Sequence, residues 1–247
     1  MPISAHIAID LGAESGRVML GILENQRLRL KEVHRFTHLP VPTPAGMVWD
    51  ITGLWRAILD GIRETARVAV AQNLRVQSVG VDTWGVDFTL VSPAGTLLGL
   101  PMCYRDAAFP PAFAKVLQRV PRRAIYEATG IQLMPINTLF QFEHRFRADP
   151  KVFDSAAAML FMPDLFHFLL SGKVTVERTI ASTSQMVDAR SGEWSTPLLR
   201  QLGLPTQILP DMINPATVIG PVRPELARML GLPADTQVVA PPAHDTA

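Results

Sequence analysis

Apolar residues fall in blocks whose spacing changes along the chain. Ile7, Ala8, Ile9 and Leu11 form a short block closed by Gly12, which predicts a buried strand ending in a glycine turn. Residues 16–24 and 27–36 read as two more strands around the turn residues Asn25 and Gln26, an antiparallel three-strand meander. Beyond a proline-rich stretch the period lengthens. Trp55, Ile58, Leu59, Ile62, Ala66, Ala69 and Val70 recur at helical spacing, with Asp50 or Thr52 available as N-cap. Residues 76–82 then read as a fully buried strand and 88–99 as a strand and turn, so hairpins come first and α/β alternation follows.

Downstream, punctuation residues set the expected helices. These cover 112–118, 122–129 with Gly130 as stop, and 138–147 with Asn137 as cap, and Pro121 suits a helix start. Residues 159–162 suit a strand, after which Pro163 and Asp164 open a helix that Gly172 ends. Thr196 and Pro197 open another, ended by Gly203, and Pro224 opens a last one running to Gly231. Residues 236–242 read as a strand leading directly into His244. No repeat or linker divides the 247 residues, so one domain with an insertion at about 109–154 is expected.

Composition narrows the partners. Charged residues are 18% of the chain, scattered, with a formal net charge of +1, which gives no basic stripe for nucleic acid. The single Cys103 suits a reducing compartment. The apolar run 156–170 is broken by Pro163 and Asp164 short of the ~20 residues of a membrane span, and no signal peptide is legible. A cytoplasmic protein with no membrane and no nucleic-acid partner is the expectation.

Three turns carry candidate chemistry. Asp10 to Arg17 is a glycine-containing turn between two strands, able to aim backbone N–H groups and the Ser15 hydroxyl at phosphate oxygens. Arg17 adds positive charge, and Asp10 could hold Mg2+ through water. It is neither a Walker loop nor a dinucleotide fingerprint, and the plain alternative is an ordinary hairpin. Asp82 to Phe88 follows a buried strand, where Trp84 beside Gly85 suits a sugar; the alternative is a turn with Trp84 packed in the core. His244, Asp245 and Thr246 also follow a strand, where a carboxylate could take a proton from a sugar hydroxyl, although His-Asp-Thr after a strand is more often a solvated turn or helix cap. His34, His38, His144 and His167 lack metal-site spacing and suit structural or surface roles.

In order and spacing, residues 7–18, 79–91, 101–106, 137–141, 161–172, 181–186 and 243–247 resemble the FGGY carbohydrate kinases, and within them the rhamnulokinases. The resemblance spans essentially the whole chain. It implies an α/β, actin-like ATPase domain of ribonuclease-H type, with a mixed sheet and helices on both faces. It implies ATP and Mg2+ as cofactors and L-rhamnulose phosphorylated on its 1-hydroxyl. The phosphate loop falls on Gly12, Ala13, Glu14, Ser15, Gly16 and Arg17. Sugar contacts fall on Trp84, Gly85, His244, Asp245 and Thr246, with Asp245 as proton acceptor. Glu14 departs from the small hydroxyl residue common in the family, and a carboxylate near phosphate is unfavourable unless it turns away or faces the metal. The resemblance also implies a C-terminal nucleotide-binding domain after Ala247, so the chain reads as an N-terminal half, inactive alone. Other readings are another FGGY kinase, for xylulose, fuculose or glycerol, and a non-kinase actin-like ATPase or regulator.

Overall fold

The structure is a computed structural model and describes residues 3–245. Strands β1 (Ile3–Leu11), β2 (Ser15–Glu24) and β3 (Arg27–Thr37) form the expected antiparallel meander. Asn25 and Gln26 take φ of 49° and 61°, the left-handed pair that lets a two-residue turn follow the strands' twist. The proline-rich stretch becomes a small hairpin of β4 (Pro40–Thr43) and β5 (Gly46–Trp49).

Helix α1 (Ile51–Ala71) starts where Asp50 accepts the Gly53 N–H at 2.9 Å, and buries Leu54, Ile58, Ile62, Ala66 and Ala69 along one stripe. Val70, expected on that stripe, lies one residue round the helix from Ala69 and is exposed. The crossover through α1 lays β6 (Leu74–Thr83) parallel to β1. Next comes β7 (Phe88–Val91), which pairs antiparallel with β8 (Ala158–Phe161). Between these two strands run α2 (Phe109–Arg119), α3 (Arg122–Thr129), α4 (Thr138–Ala148) and α5 (Pro150–Asp154). Gly130 ends α3 at φ 70°, as its position in the sequence predicts.

The rest of the chain is α6 (Met162–Ser171), β9 (Val176–Glu177), α7 (Arg178–Ser182), α8 (Thr196–Gln201), β10 (Met212–Ile213), β11 (Val218–Pro221), α9 (Pro224–Leu230) and β12 (Gln237–Val239). The main sheet has the order β11-β12-β6-β1-β2-β3, with β6 parallel to both β1 and β12. A meander followed by parallel strands with helical crossovers is the ribonuclease-H-like, actin-type arrangement.

Strand alternation gives this sheet one dry face. Ile7, Ile9 and Leu11 of β1, Val18 and Leu20 of β2, and Val79 and Val81 of β6 are buried together. Both α1 and α6 pack there, with Trp55 stacked on Phe166 at 6.3 Å between ring centroids. The opposite face carries His6, Ala8, Asp10, Met19, Ser78 and Asp82, half-buried or exposed. A mixed sheet flanked by helices is the arrangement expected from the sequence. Cys103 is fully buried, and burial pushes its thiol up to about 11. Among the described residues no helix is long and apolar enough to cross a membrane.

Candidate functional site

Parallel pairing sets Asp10 opposite Asp82 and Leu11 opposite Thr83, so β1 and β6 end side by side. The turns that follow them, and residues 243–245, meet at these ends. Trp84 N–H donates to Leu11 O at 3.1 Å, Thr83 N–H donates to Ala243 O at 3.0 Å, and Asp245 N–H donates to Thr83 O at 3.1 Å. The three motifs, remote in sequence, are thus hydrogen-bonded neighbours. The last is held from behind as well: Ala243 N–H reaches Thr179 Oγ1 at 2.9 Å and Glu177 Oε2 at 3.1 Å, and the buried Glu177 also caps α7. Thr246 lies outside the described residues.

The hairpin turn is narrower as an anion cradle than its glycines suggest. Gly12 N–H is spent on Ser15 O at 2.9 Å, whereas the amides of Ala13 and Glu14 have no partner among the described residues. Gly16 is glycine for packing, since a methyl there would overlap the Phe36 ring and the Leu11 side chain. Arg17 pairs with Asp10 across the β1–β2 ladder. Glu14 swings to Arg105 at 3.4 Å, which answers how a carboxylate is tolerated in this turn. His38, expected to be structural or on the surface, bridges the two turns: its Nε2 lies 2.9 Å from Gly12 O and its ring stacks on Trp84 at 5.4 Å. Burial holds its imidazole below the usual range and so neutral.

A cavity of about 490 Å³ opens beside the turns. Trp84, Gly85, His244 and Asp245 line it, as the sequence suggests for a sugar. A methyl on Gly85 would come within 3.2 Å of both His244 Nε2 and Thr183 Cγ2, so both side chains would have to give way to it. Trp84 satisfies both readings of its motif: it is 5% exposed and yet forms part of the cavity wall. Val86 holds φ at 71°, costly for a β-branched residue, and is fixed by Thr183 Oγ1 on its N–H at 3.1 Å and Thr138 Oγ1 on its carbonyl at 2.6 Å.

Beneath this turn the Asp87 carboxylate is fully buried and accepts four N–H groups. They come from Trp49 Nε1 at 2.6 Å, Gln141 Nε2 at 2.8 Å, Trp84 Nε1 at 3.0 Å and the Tyr104 backbone at 3.2 Å. Burial pushes Asp87 up and the four donors pull it down, leaving it raised to about 6. The same carboxylate therefore fixes two aromatic walls of the cavity and the start of α4.

Sequence reasoning missed the far walls. Tyr104, the loop residues Ile131, Gln132, Met134 and Ile136, and Ser182 and Thr183 of α7 and the turn after it complete the lining. Asn137 also lines the cavity, but its side chain does not cap α4. It donates to Gln132 O at 2.9 Å and Gln185 Oε1 at 2.7 Å, holding the loop rather than the helix. A signal was available: five of residues 131–136 are apolar yet lie between a helix stop and a helix start.

Asp82 was missed as a site residue. Burial, then the charges of Asp10 and Asp245, push it up to about 7. Asp10 and Asp82 lie side by side at the strand ends, with Arg17 paired to Asp10. Among the described residues there is no cluster of three or more metal-ligating side chains, and these two carboxylates are the residues that could hold a hydrated Mg2+.

Residues 5–247 match the N-terminal domain of the FGGY family of carbohydrate kinases. The chain belongs to that family. The rhamnulokinase of Oceanobacillus iheyensis is 36% identical over 98% of this chain and 50% of its own length. That of Pectobacterium atrosepticum is 37% identical over 100% of the chain and 48% of its own. This FGGY domain thus spans about half the length of the curated relatives it matches. The crystal structure of gluconate kinase from Lactobacillus acidophilus superposes with a TM-score of 0.85 at 18% identity, over 96% of this chain and 47% of that one, which shows the shared fold.

Proposed function

We propose that this FGGY domain is the sugar-binding half of an ATP-dependent kinase that phosphorylates L-rhamnulose on its 1-hydroxyl. The observation that carries the reading is that Asp245 and the Trp84–Gly85 turn line one cavity while Trp84 N–H is hydrogen-bonded to Leu11 O, at the strand end that leads into the Ala13–Arg17 hairpin. Asp245 accepts the proton of the primary hydroxyl as its oxygen attacks the γ-phosphate. The free amides of Ala13 and Glu14, the Ser15 hydroxyl and Arg17 receive charge that builds on the transferring group. His244 and Gly85 border the sugar, and Trp84, fixed by Asp87, offers it a rigid face. Mg2+, when bound near Asp10 and Asp82, supplies neutralisation of phosphate charge.

The curated relatives' length supports a second half in the same polypeptide that carries the adenosine site and closes over the cavity to exclude water. The 247 residues alone are then expected to show no turnover, and a cytoplasmic location suits ATP and a small sugar as partners. In the full-length protein, Asp245→Asn is expected to lower kcat by about 100-fold or more while sugar binding persists. Near-normal turnover by that variant, or robust phosphorylation by the 247 residues alone, overturns the reading.

A further inference from the structure

Resting on that kinase reading, we propose that His38 is a positioning residue of phosphoryl transfer. Its ring N–H and its backbone N–H together hold the Gly12–Glu14 turn so that the Ala13 amide faces the transferring phosphoryl group.

His38 directly follows β3 and lies outside the three turns that the sequence singles out. Among the described residues it nevertheless makes both of the hydrogen bonds that the backbone of residues 12–14 receives from beyond the hairpin turn. Its backbone N–H donates to Glu14 O at 3.1 Å, and its Nε2 lies 2.9 Å from Gly12 O. A carbonyl oxygen only accepts, so Nε2 carries the hydrogen. Nδ1 is then the bare nitrogen of a neutral ring, and it is buried with no partner among the described residues. A second proton there would meet no acceptor among them, and burial lowers the imidazole's pKa although the bond to Gly12 O raises it. The ring is thereby held in one tautomer, with its single N–H on the turn.

That bond sets a direction. The peptide unit joining Gly12 to Ala13 is trans, and in a planar trans unit the carbonyl and the N–H point to opposite sides. With Gly12 O on His38, Ala13 N–H faces away from it. Ala13 N–H is one of the two turn amides without a partner among the described residues. An amide aimed before the phosphate arrives needs no reorganisation as charge develops.

The imidazole is itself fixed from the cavity side. It stacks on Trp84 at 5.4 Å and meets Trp49 edge-on at 5.6 Å between ring centroids, and both indoles donate to the buried Asp87 carboxylate. Contacts therefore run unbroken from Asp87 through His38 to the hairpin, and they register the turn against the cavity wall.

With the full-length protein, ATP and L-rhamnulose, two variants separate the donor from the ring. His38→Phe keeps an aromatic face for Trp84 and loses the N–H. It is expected to lower kcat by about 10-fold, less than outright loss of a charge-stabilising donor, and to leave the KM for L-rhamnulose within about 2-fold. His38→Gln keeps an N–H near the Nε2 position and loses the ring, and is expected to hold kcat within about 3-fold of wild type. Packing alone predicts the reverse order, with Phe tolerated and Gln impaired. Wild-type turnover by His38→Phe, a loss in His38→Gln as large as in His38→Phe, or a rise in KM for L-rhamnulose matching the fall in kcat overturns the inference and leaves the kinase reading intact. Thermal melting sets the assay temperature below each variant's transition, and if His38→Gln does not fold, the KM-against-kcat split of His38→Phe decides alone. A wild-type protein that phosphorylates no ketose overturns the kinase reading itself.

Discussion

The hairpin turn and the sugar cavity share a border and are built on opposite principles. The hairpin keeps its groups less committed: among the described residues the amides of Ala13 and Glu14 have no partner, and Arg17 is half-exposed and paired with Asp10. The cavity commits nearly everything: Asp87 serves four donors, and Asn137, Gln141 and Gln185 pin the backbone of its far wall. On the proposed function, the difference follows from what each would receive. A polyphosphate brings charge and is held by whichever donors can turn to it. A sugar offers weak, directional hydrogen bonds that select only when the walls are already in position.

If the contrast is real, substitutions in the cavity's support cost stability and substitutions in the hairpin cost chemistry. The largest effect is expected at Asp87. Asp87→Ala strands two indole N–H groups and an amide in the interior at about 1–3 kcal/mol each, so a loss of about 3–5 kcal/mol is expected in the denaturant midpoint. A loss below about 1 kcal/mol would remove the carboxylate from the centre of the site.

His167 tests the strand that both regions grow from, since its Nε2 accepts the Val81 N–H at 3.2 Å from within α6. Burial lowers its pKa from 6.5 to about 4, so the unfolded chain binds the extra proton first. Stability contributed by neutral His167 is complete above pH 6.5 and is lost as the pH falls toward 4, on the order of 3 kcal/mol. Asp164, raised by burial, slopes the other way, so the measurement is the difference between wild type and His167→Gln across that window. Parallel pH profiles would show that the imidazole is not held neutral.

Gln185→Leu removes the donor to Ile131 O and one of the two acceptors of Asn137 Nδ2 and is expected to cost about 1–3 kcal/mol, read by thermal melting. The smallest change in stability belongs to Arg17→Ala, within about 1 kcal/mol because its ion pair is exposed to solvent. Its turnover with ATP in the full-length protein is expected to drop by at least about 10-fold. A variant that melts early and turns over normally would reverse the comparison.

Local order was legible before any coordinates. The turn at Asn25–Gln26, the Gly130 stop and the Asp50 cap each depend on a residue's own backbone preference, and each sits where the sequence places it. So do Trp84, Gly85, His244 and Asp245 at one cavity, because turns after parallel strands point to a common edge. The far wall was not legible. Asn137 looks like a helix cap from its neighbours, and only Gln185, folded against it from after α7, turns it into a clamp. His38 likewise has no sequence partner, since the groups it joins belong to two other turns.

The sequence by itself determined the elements, the family and the three turns that could bear chemistry, because glycine and proline geometry and apolar periodicity act over a few residues. Tertiary structure alone decided which hairpin amides lack a partner among the described residues, that burial raises Asp82, and that Ile131, Met134 and Ile136 reach the cavity. Each of those depends on charges or hydrogen-bond partners that become neighbours only once the chain has folded, and no spacing rule along the chain encodes them.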